Sequence, residues 1–119
     1  MGEKILICDR DQKNRDLLKE LLGNTNDLIV IDDENQCVDL LSRSSNIQLL
    51  LISLNTIGAD KNKVLEKIKE TSPNINIFVT INPPISNTAK VIANRCISGY
   101  LEGPFAADLL KSKLKNLIK

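Results

Sequence analysis

Residues 5–18 read ILICDRDQKNRDLL, and this stretch decides the fold. Ile5-Leu6-Ile7-Cys8 is a short unbroken apolar run, as expected of a strand covered on both faces. Asp11 stands where a helix-capping carboxylate belongs, and Leu17, Leu18, Leu21 and Leu22 follow at helical spacing. Gly23 is a natural stop for that helix. The unit is therefore strand, short acidic turn, amphipathic helix, and it returns along the chain. Leu28–Ile31 is a second strand, and Cys37, Val38, Leu40 and Leu41 mark a second helix. Leu49–Ile52 is a third strand, followed by a helix on Val64, Leu65 and Ile68 that ends at Ser72-Pro73. Ile75–Val79 is a fourth strand. Pro83-Pro84 forces a loop, Ser86 or Asn87 caps, and Val91, Ile92 and Cys96 line a fourth helix. Ile97–Leu101 is a fifth strand. Gly103-Pro104 turns the chain into a last helix over 106–118, with Leu109, Leu110, Leu114, Leu117 and Ile118 inward and a lysine-rich solvated face.

Five strands interleaved with helices predict an α/β fold: a parallel sheet with helices on both faces and right-handed crossovers. The flavodoxin-like, doubly wound order 2-1-3-4-5 is the leading choice, and its functional crevice lies at the carboxyl ends of strands 1 and 3. The 119 residues make one domain, 1–119, with no repeat and no interior linker.

Composition removes several chemistries. Sixteen basic residues face fifteen acidic ones, a net charge of +1, so no single-sign field holds a polyanion or a membrane surface. Aromatics are 3% of the chain, too few for a base-stacking surface, and direct nucleic-acid binding is not expected. With no histidine, there is no Ser-His or Cys-His nucleophile pair. Cys8, Cys37 and Cys96 form no C-x-x-C pair and read as reduced, buried thiols. No apolar run approaches the ~18 residues of a membrane span, and the N-terminal run is not expected to be a signal peptide. A soluble cytoplasmic protein is expected.

The residues at the strands' carboxyl ends carry a resemblance. ILICDRDQKNRDLL resembles the opening of response-regulator receiver domains, the CheY-like family. LLLISLNTIGADK (49–61) has the layout of that family's third strand and following loop, and IFVTI (77–81) and GYLEGPF (99–105) match the ends of its fourth and fifth strands. The resemblance covers essentially the whole chain. It implies phosphoryl transfer from a histidine kinase to an aspartate ending strand 3, with Mg²⁺ held by that aspartate and an acidic pair after strand 1. It further implies a lysine at the end of strand 5, a Thr or Ser ending strand 4, and an aromatic in strand 5 that changes rotamer.

Carried over, the phosphoacceptor position is Ser53, the acidic pair is Asp9 and Arg10, and the lysine position is Gly103. The switch positions, Thr80 and Tyr100, fit the family, although both residue types also simply pack in parallel sheets. A serine hydroxyl needs a base to attack, and none suggests itself here. Hard cations take several oxygen ligands including carboxylates, so Mg²⁺ is not expected. Asp9 and Asp11 are the residues a metal would use. Arg10 is expected either to pair with Asp9 or to point to solvent, and Asp11 changes the pocket charge if it turns inward. Ile81 is expected to narrow the pocket. The Ser53 hydroxyl is expected to bond nearby backbone, and the Gly103-Pro104 bond is expected to be cis, as family members often have it.

The reading is a degenerate receiver, not an enzyme and without a cofactor, acting as a protein-interaction module. Its face would be the fourth helix, strand 5 and last helix, with Lys90, Asn94, Tyr100, Glu102, Lys111 and Lys115. The expected partner is a signalling protein or an attached output domain, with a homodimer as a further form. Two alternatives are a phosphorelay receiver with a displaced acceptor, Asp11 or Asp60, and a small-molecule binder using the same crevice.

Overall fold

The computed structural model describes residues 4–23, 26–44, 46–58, 60–81, 95–102 and 107–115. Five parallel strands form one sheet: β1 (Lys4–Cys8), β2 (Asp27–Ile31), β3 (Leu49–Ser53), β4 (Asn76–Ile81) and β5 (Gly99–Glu102). Their order is β2-β1-β3-β4-β5, as the sequence predicts for a doubly wound fold. The helices are α1 (Gln12–Leu22), α2 (Glu34–Arg43), α3 (Lys61–Thr71) and a C-terminal α4 (Ala107–Leu114), and a 3₁₀ turn covers Leu54–Thr56. The fourth predicted helix falls almost wholly on 82–94, outside the described residues, as does the Gly103-Pro104 bond.

Strand periodicity divides the core in two. Leu6, Cys8, Leu50, Ile52, Ile77, Val79 and Ile81 face α2 and α3, meeting Cys37, Leu41, Leu65 and Ile68. Ile5, Ile7, Leu49, Leu51, Phe78 and Leu101 face α1 and α4, meeting Leu18, Leu22, Leu110 and Leu114. Each such side chain contributes roughly 1.5–3 kcal/mol by leaving water. β3, central in the sheet, is buried at every residue, which is why it reads as a continuous apolar run.

Each described helix start but the last is fixed by an aspartate. Asp11, Asp33 and Asp60 accept hydrogen bonds from Lys13 N, Asn35 N and Lys63 N. Gly23 ends α1 as expected, but not by a left-handed backbone, since its φ is −70°. A Cβ there would lie 2.5 Å from the Lys19 carbonyl oxygen that the Gly23 N–H caps, so close approach demands the glycine.

Three packing expectations are corrected. Leu109 is 47% exposed, because Leu110 and Leu114, one turn apart, take the inward stripe of α4. Cys96 is only half-buried, whereas Cys8 and Cys37 are buried as expected. β4 runs two residues further than its apolar stretch and β5 starts at Gly99, where Phe78 pairs with it.

Candidate functional site

Three buried polar residues stand together where the apolar columns of the α1/α4 face end. Ser53 closes β3 and pairs in register with Thr80 of β4. The register Ile7↔Leu51 and Cys8↔Ile52 carries on to set Asp9, just past β1, beside Ser53. Alternation of side chains puts Asp9 in line with Ile5 and Ile7, Ser53 with Leu49 and Leu51, and Thr80 with Phe78. Each of the three is only 2% exposed. The carboxyl ends of β1, β3 and β4 therefore bring together the residues that the sequence reading singled out.

The turn after β1 is a chain of Asp-backbone bonds. Asp9 Oδ1 accepts from Asp11 N at 2.9 Å, and Asp11 Oδ1 accepts from Lys13 N at 2.9 Å. Asp11 is thus an exposed helix cap and does not turn into the pocket. Asp60 caps α3 in the same way. Asn14, buried on α1, bonds the Asp9 carboxylate, and Arg15 Nη1 donates to the Asp9 backbone carbonyl at 2.8 Å. Asp9 Oδ2 has no hydrogen-bond partner among the described residues. Burial pushes the Asp9 carboxyl above its ordinary range, against the bonds from Asp11 N and Asn14, which pull it down.

Arg10, in the second position of the acidic pair, is exposed and makes no ion pair among the described residues. Its backbone N–H donates to Thr56 Oγ1 at 2.8 Å and so ties the β1–α1 turn to the loop after β3. That loop is held further. Gly58 N donates to Glu34 Oε1 at 3.1 Å, and Lys61 Nζ donates to Ile57 O at 2.7 Å. Ser53 leads into the 3₁₀ turn, and its side chain makes no capping bond to that turn. Ile81 differs from its expectation. It is fully buried on the α2/α3 face, the opposite side of the sheet from Thr80, so it fills the core and does not narrow the pocket.

Asn14, Arg15, Thr56, Glu34 and Lys61 were not legible as site residues. Asn14 bonds the Asp9 carboxylate and the other four bond backbone groups, Thr56 and Glu34 across the fold and Arg15 and Lys61 within a few residues, and no spacing in the sequence signals those contacts. Of the expected interaction face, Tyr100, Glu102, Lys111 and Lys115 are exposed, while Lys90 and Asn94 lie outside the described residues, as does Gly103 at the lysine position. The Tyr100 ring lies under Lys113 Nζ, 5.5 Å from its centroid.

The sequence matches no family model and no curated protein. Solved structures do match. The signal receiver domain of an HD domain-containing protein from Pseudomonas fluorescens Pf-5 superposes with a TM-score of 0.84 at 23% identity, over 98% of this chain and 94% of that one. A CheY-like response regulator receiver domain protein from Methanospirillum hungatei JF-1 gives 0.83 at 18% identity, over 98% and 94%. The response regulator TrrA from Thermotoga maritima, in complex with Mg(2+)-BeF, gives 0.80 at 21% identity, over 97% and 98%. The fold is that of a response-regulator receiver domain. Within this receiver fold the site offers one buried carboxylate and two hydroxyls. Among the described residues no three of Cys, Asp and Glu come together as metal ligands would.

Proposed function

We propose that the chain is a signalling receiver that works without aspartyl phosphorylation, by binding a protein partner or an attached output domain. The observation that carries the reading is Ser53: a buried alcohol closes β3 at the position where the receiver resemblance calls for an ionised aspartate. An alcohol attacks only when a base takes its proton. The one carboxylate beside it, Asp9, accepts from Asp11 N through Oδ1, and its Oδ2, with no partner among the described residues, holds no bond to the Ser53 hydroxyl.

The same donor set argues against Mg²⁺. A hard dication takes several oxygens and prefers one or two carboxylates that it can share with phosphate. Asp9 supplies one, Arg10 replaces its partner, and Asp11 is committed to α1. Displaced acceptors lose support for the same reason, since Asp11 and Asp60 both serve as helix caps.

Function then rests on surface, with no catalysis and no cofactor. The face made by β5 and α4 is the docking face, with Tyr100, Glu102, Lys111 and Lys115 on it. The HD domain-containing protein named above carries a receiver of this fold, and an output domain or separate signalling protein is the partner class that suits this chain. The unbridged thiols suit a reducing cytoplasm. Among the described residues no helix is long and apolar enough to cross a membrane.

The test is acetyl phosphate with Mg²⁺, read by intact mass, and beryllofluoride with Mg²⁺, read by amide NMR shifts. The expected result is an unchanged mass and unshifted amides around Asp9, Ser53 and Thr80. Stoichiometric addition of one phosphoryl group overturns the reading.

A further inference from the structure

We infer that the free edge of β2 accepts an extended segment of a protein partner as a sixth strand, a segment with an apolar centre and a lysine or arginine at each end. The inference does not rest on how the acceptor position behaves, and it concerns the opposite edge of the sheet from the β5/α4 docking face. In the order β2-β1-β3-β4-β5, β2 has a neighbouring strand on one side only. It pairs with β1 through five unbroken positions, Lys4↔Asp27 to Cys8↔Ile31, with no bulge to twist its outer side away.

The hydrogen-bond phase of that ladder fixes which groups are free. Asp9 N donates to Ile31 O at 3.1 Å, one position past the pair Cys8↔Ile31. Alternate residues of a strand turn N–H and C=O to the same side. Asp27, Ile29 and Ile31 therefore serve β1, while Leu28 and Val30 present both groups outward. No further hydrogen bond joins either residue to another described residue. Two donors and two acceptors stand in a row, the repeat that an added strand matches.

Native edges are guarded by charge, proline, bulges or brevity. At the far edge, β5 has four residues, among them Gly99 and the exposed Glu102. Between its ends β2 has no such guard. Leu28, Ile29, Val30 and Ile31 are apolar and only half-buried. Leu28 and Val30 pack against the α1/α4 core, and Ile29 and Ile31 against the α2/α3 core. A sixth strand with apolar side chains on both faces takes the remaining surface of all four out of water.

Charge then selects among strands. Two exposed acids, Asp27 and Asp32, bracket the apolar run. Neither forms an ion pair among the described residues, and Lys4 neighbours Asp27 from the β1 side, away from the free edge. Directly opposite charges across strands attract or repel. A segment with a cation opposite each acid is favoured, and one with acids there is repelled. A second copy is the poorer occupant. Antiparallel pairing of β2 with β2 about Ile29 sets Asp27 of each copy one position from Asp32 of the other and brings no cation to either.

Two capped hexapeptides test this, one with Val-Ile-Thr-Val between lysines, the other with the same centre between glutamates. Each is titrated at low salt into the isotope-labelled full chain. The lysine peptide is expected to shift the Leu28, Val30 and Asp32 amides and to slow hydrogen exchange at Leu28 and Val30. It binds at least threefold more tightly than the glutamate peptide, and added salt narrows the ratio. Val30→Pro removes an outward N–H that the β1–β2 ladder does not use, so it abolishes binding while the amides of the other strands stay in place. D27K/D32K reverses the peptide preference, and this variant decides the matter if Val30→Pro does not fold. The inference is overturned if millimolar lysine peptide leaves the β2 amides unmoved, if binding survives Val30→Pro, or if the two peptides bind alike. A wild-type chain that dimerises and loses the dimer in Val30→Pro also overturns it, since the occupant is then a second copy.

Discussion

Asp9 keeps a carboxylate in a place where 2% of its surface reaches water and one of its oxygens has no partner among the described residues. Such a group destabilises the fold when ionised. Burial raises its pKa in the folded chain, so the folded state holds the proton more tightly than the unfolded one. Stability then falls as pH rises from the ordinary carboxylate value of about 3.9 through the raised value. Asp9→Asn removes the charge and keeps the acceptor for Asp11 N. The variant is expected to melt higher than the wild type at pH 7, with the difference fading below about pH 4. Calorimetric Tm against pH checks it, and a Tm gap that is flat across that range is the contrary outcome. The Asp-x-Asp spacing was visible from the sequence. That its first carboxylate is buried and half-satisfied was not, because Asn14 and the end of β3 are what enclose it.

At the scale of elements, the amphipathic pattern located every described helix, and the capping aspartates fixed three of the four starts. Removing one of these caps, as in Asp60→Ala, is expected to cost about 1 kcal/mol in urea unfolding. Asp11→Ala is expected to cost as much, since its carboxylate caps α1. The pattern misjudged one stripe. Along α4 the spacing offers Leu109 and Leu110 alike, and a helix can present only one of two adjacent residues to a sheet. Leu110→Ala empties a site beside Leu101 and is expected to cost roughly 2–5 kcal/mol, whereas Leu109→Ala is expected to stay within about 0.5 kcal/mol. Ile81 teaches the same lesson in a strand. Its position after Thr80 suggested a pocket wall, but a two-residue period sends it to the opposite core.

Over the whole molecule, the sheet divides two cores, and the thiols report on one of them. The Cys8 thiol is pushed far above its ordinary range, chiefly by the hydrogen bond it shares with Cys37, then by burial, with Asp9 and Asp33 adding. Access to either thiol is closed while the α2/α3 core stays packed, and the Cys8 thiolate is disfavoured besides. In native buffer a disulfide reagent is expected to label Cys96 readily. Cys8 and Cys37 are expected to react only at the rate of global opening, which rises with urea. Rapid labelling of all three in the native state contradicts the packing described for β1 and α2.

The sequence by itself determined the parallel α/β architecture. Continuous apolar strands, helical stripes, helix caps and turn residues are local signals, and the order of five strand–helix units leaves few ways to wind them. It also determined that position 53 lacks a carboxylate, which is composition and needs no coordinates. Only tertiary structure decided which oxygen of Asp9 goes unpartnered, that Arg10 is exposed while its N–H meets Thr56, and that Ser53 stands in register with Thr80. Those outcomes depend on groups far apart in the chain, Arg10 and Thr56 or Gly58 and Glu34, whose meeting is set by strand register and helix placement and leaves no periodic trace in the sequence.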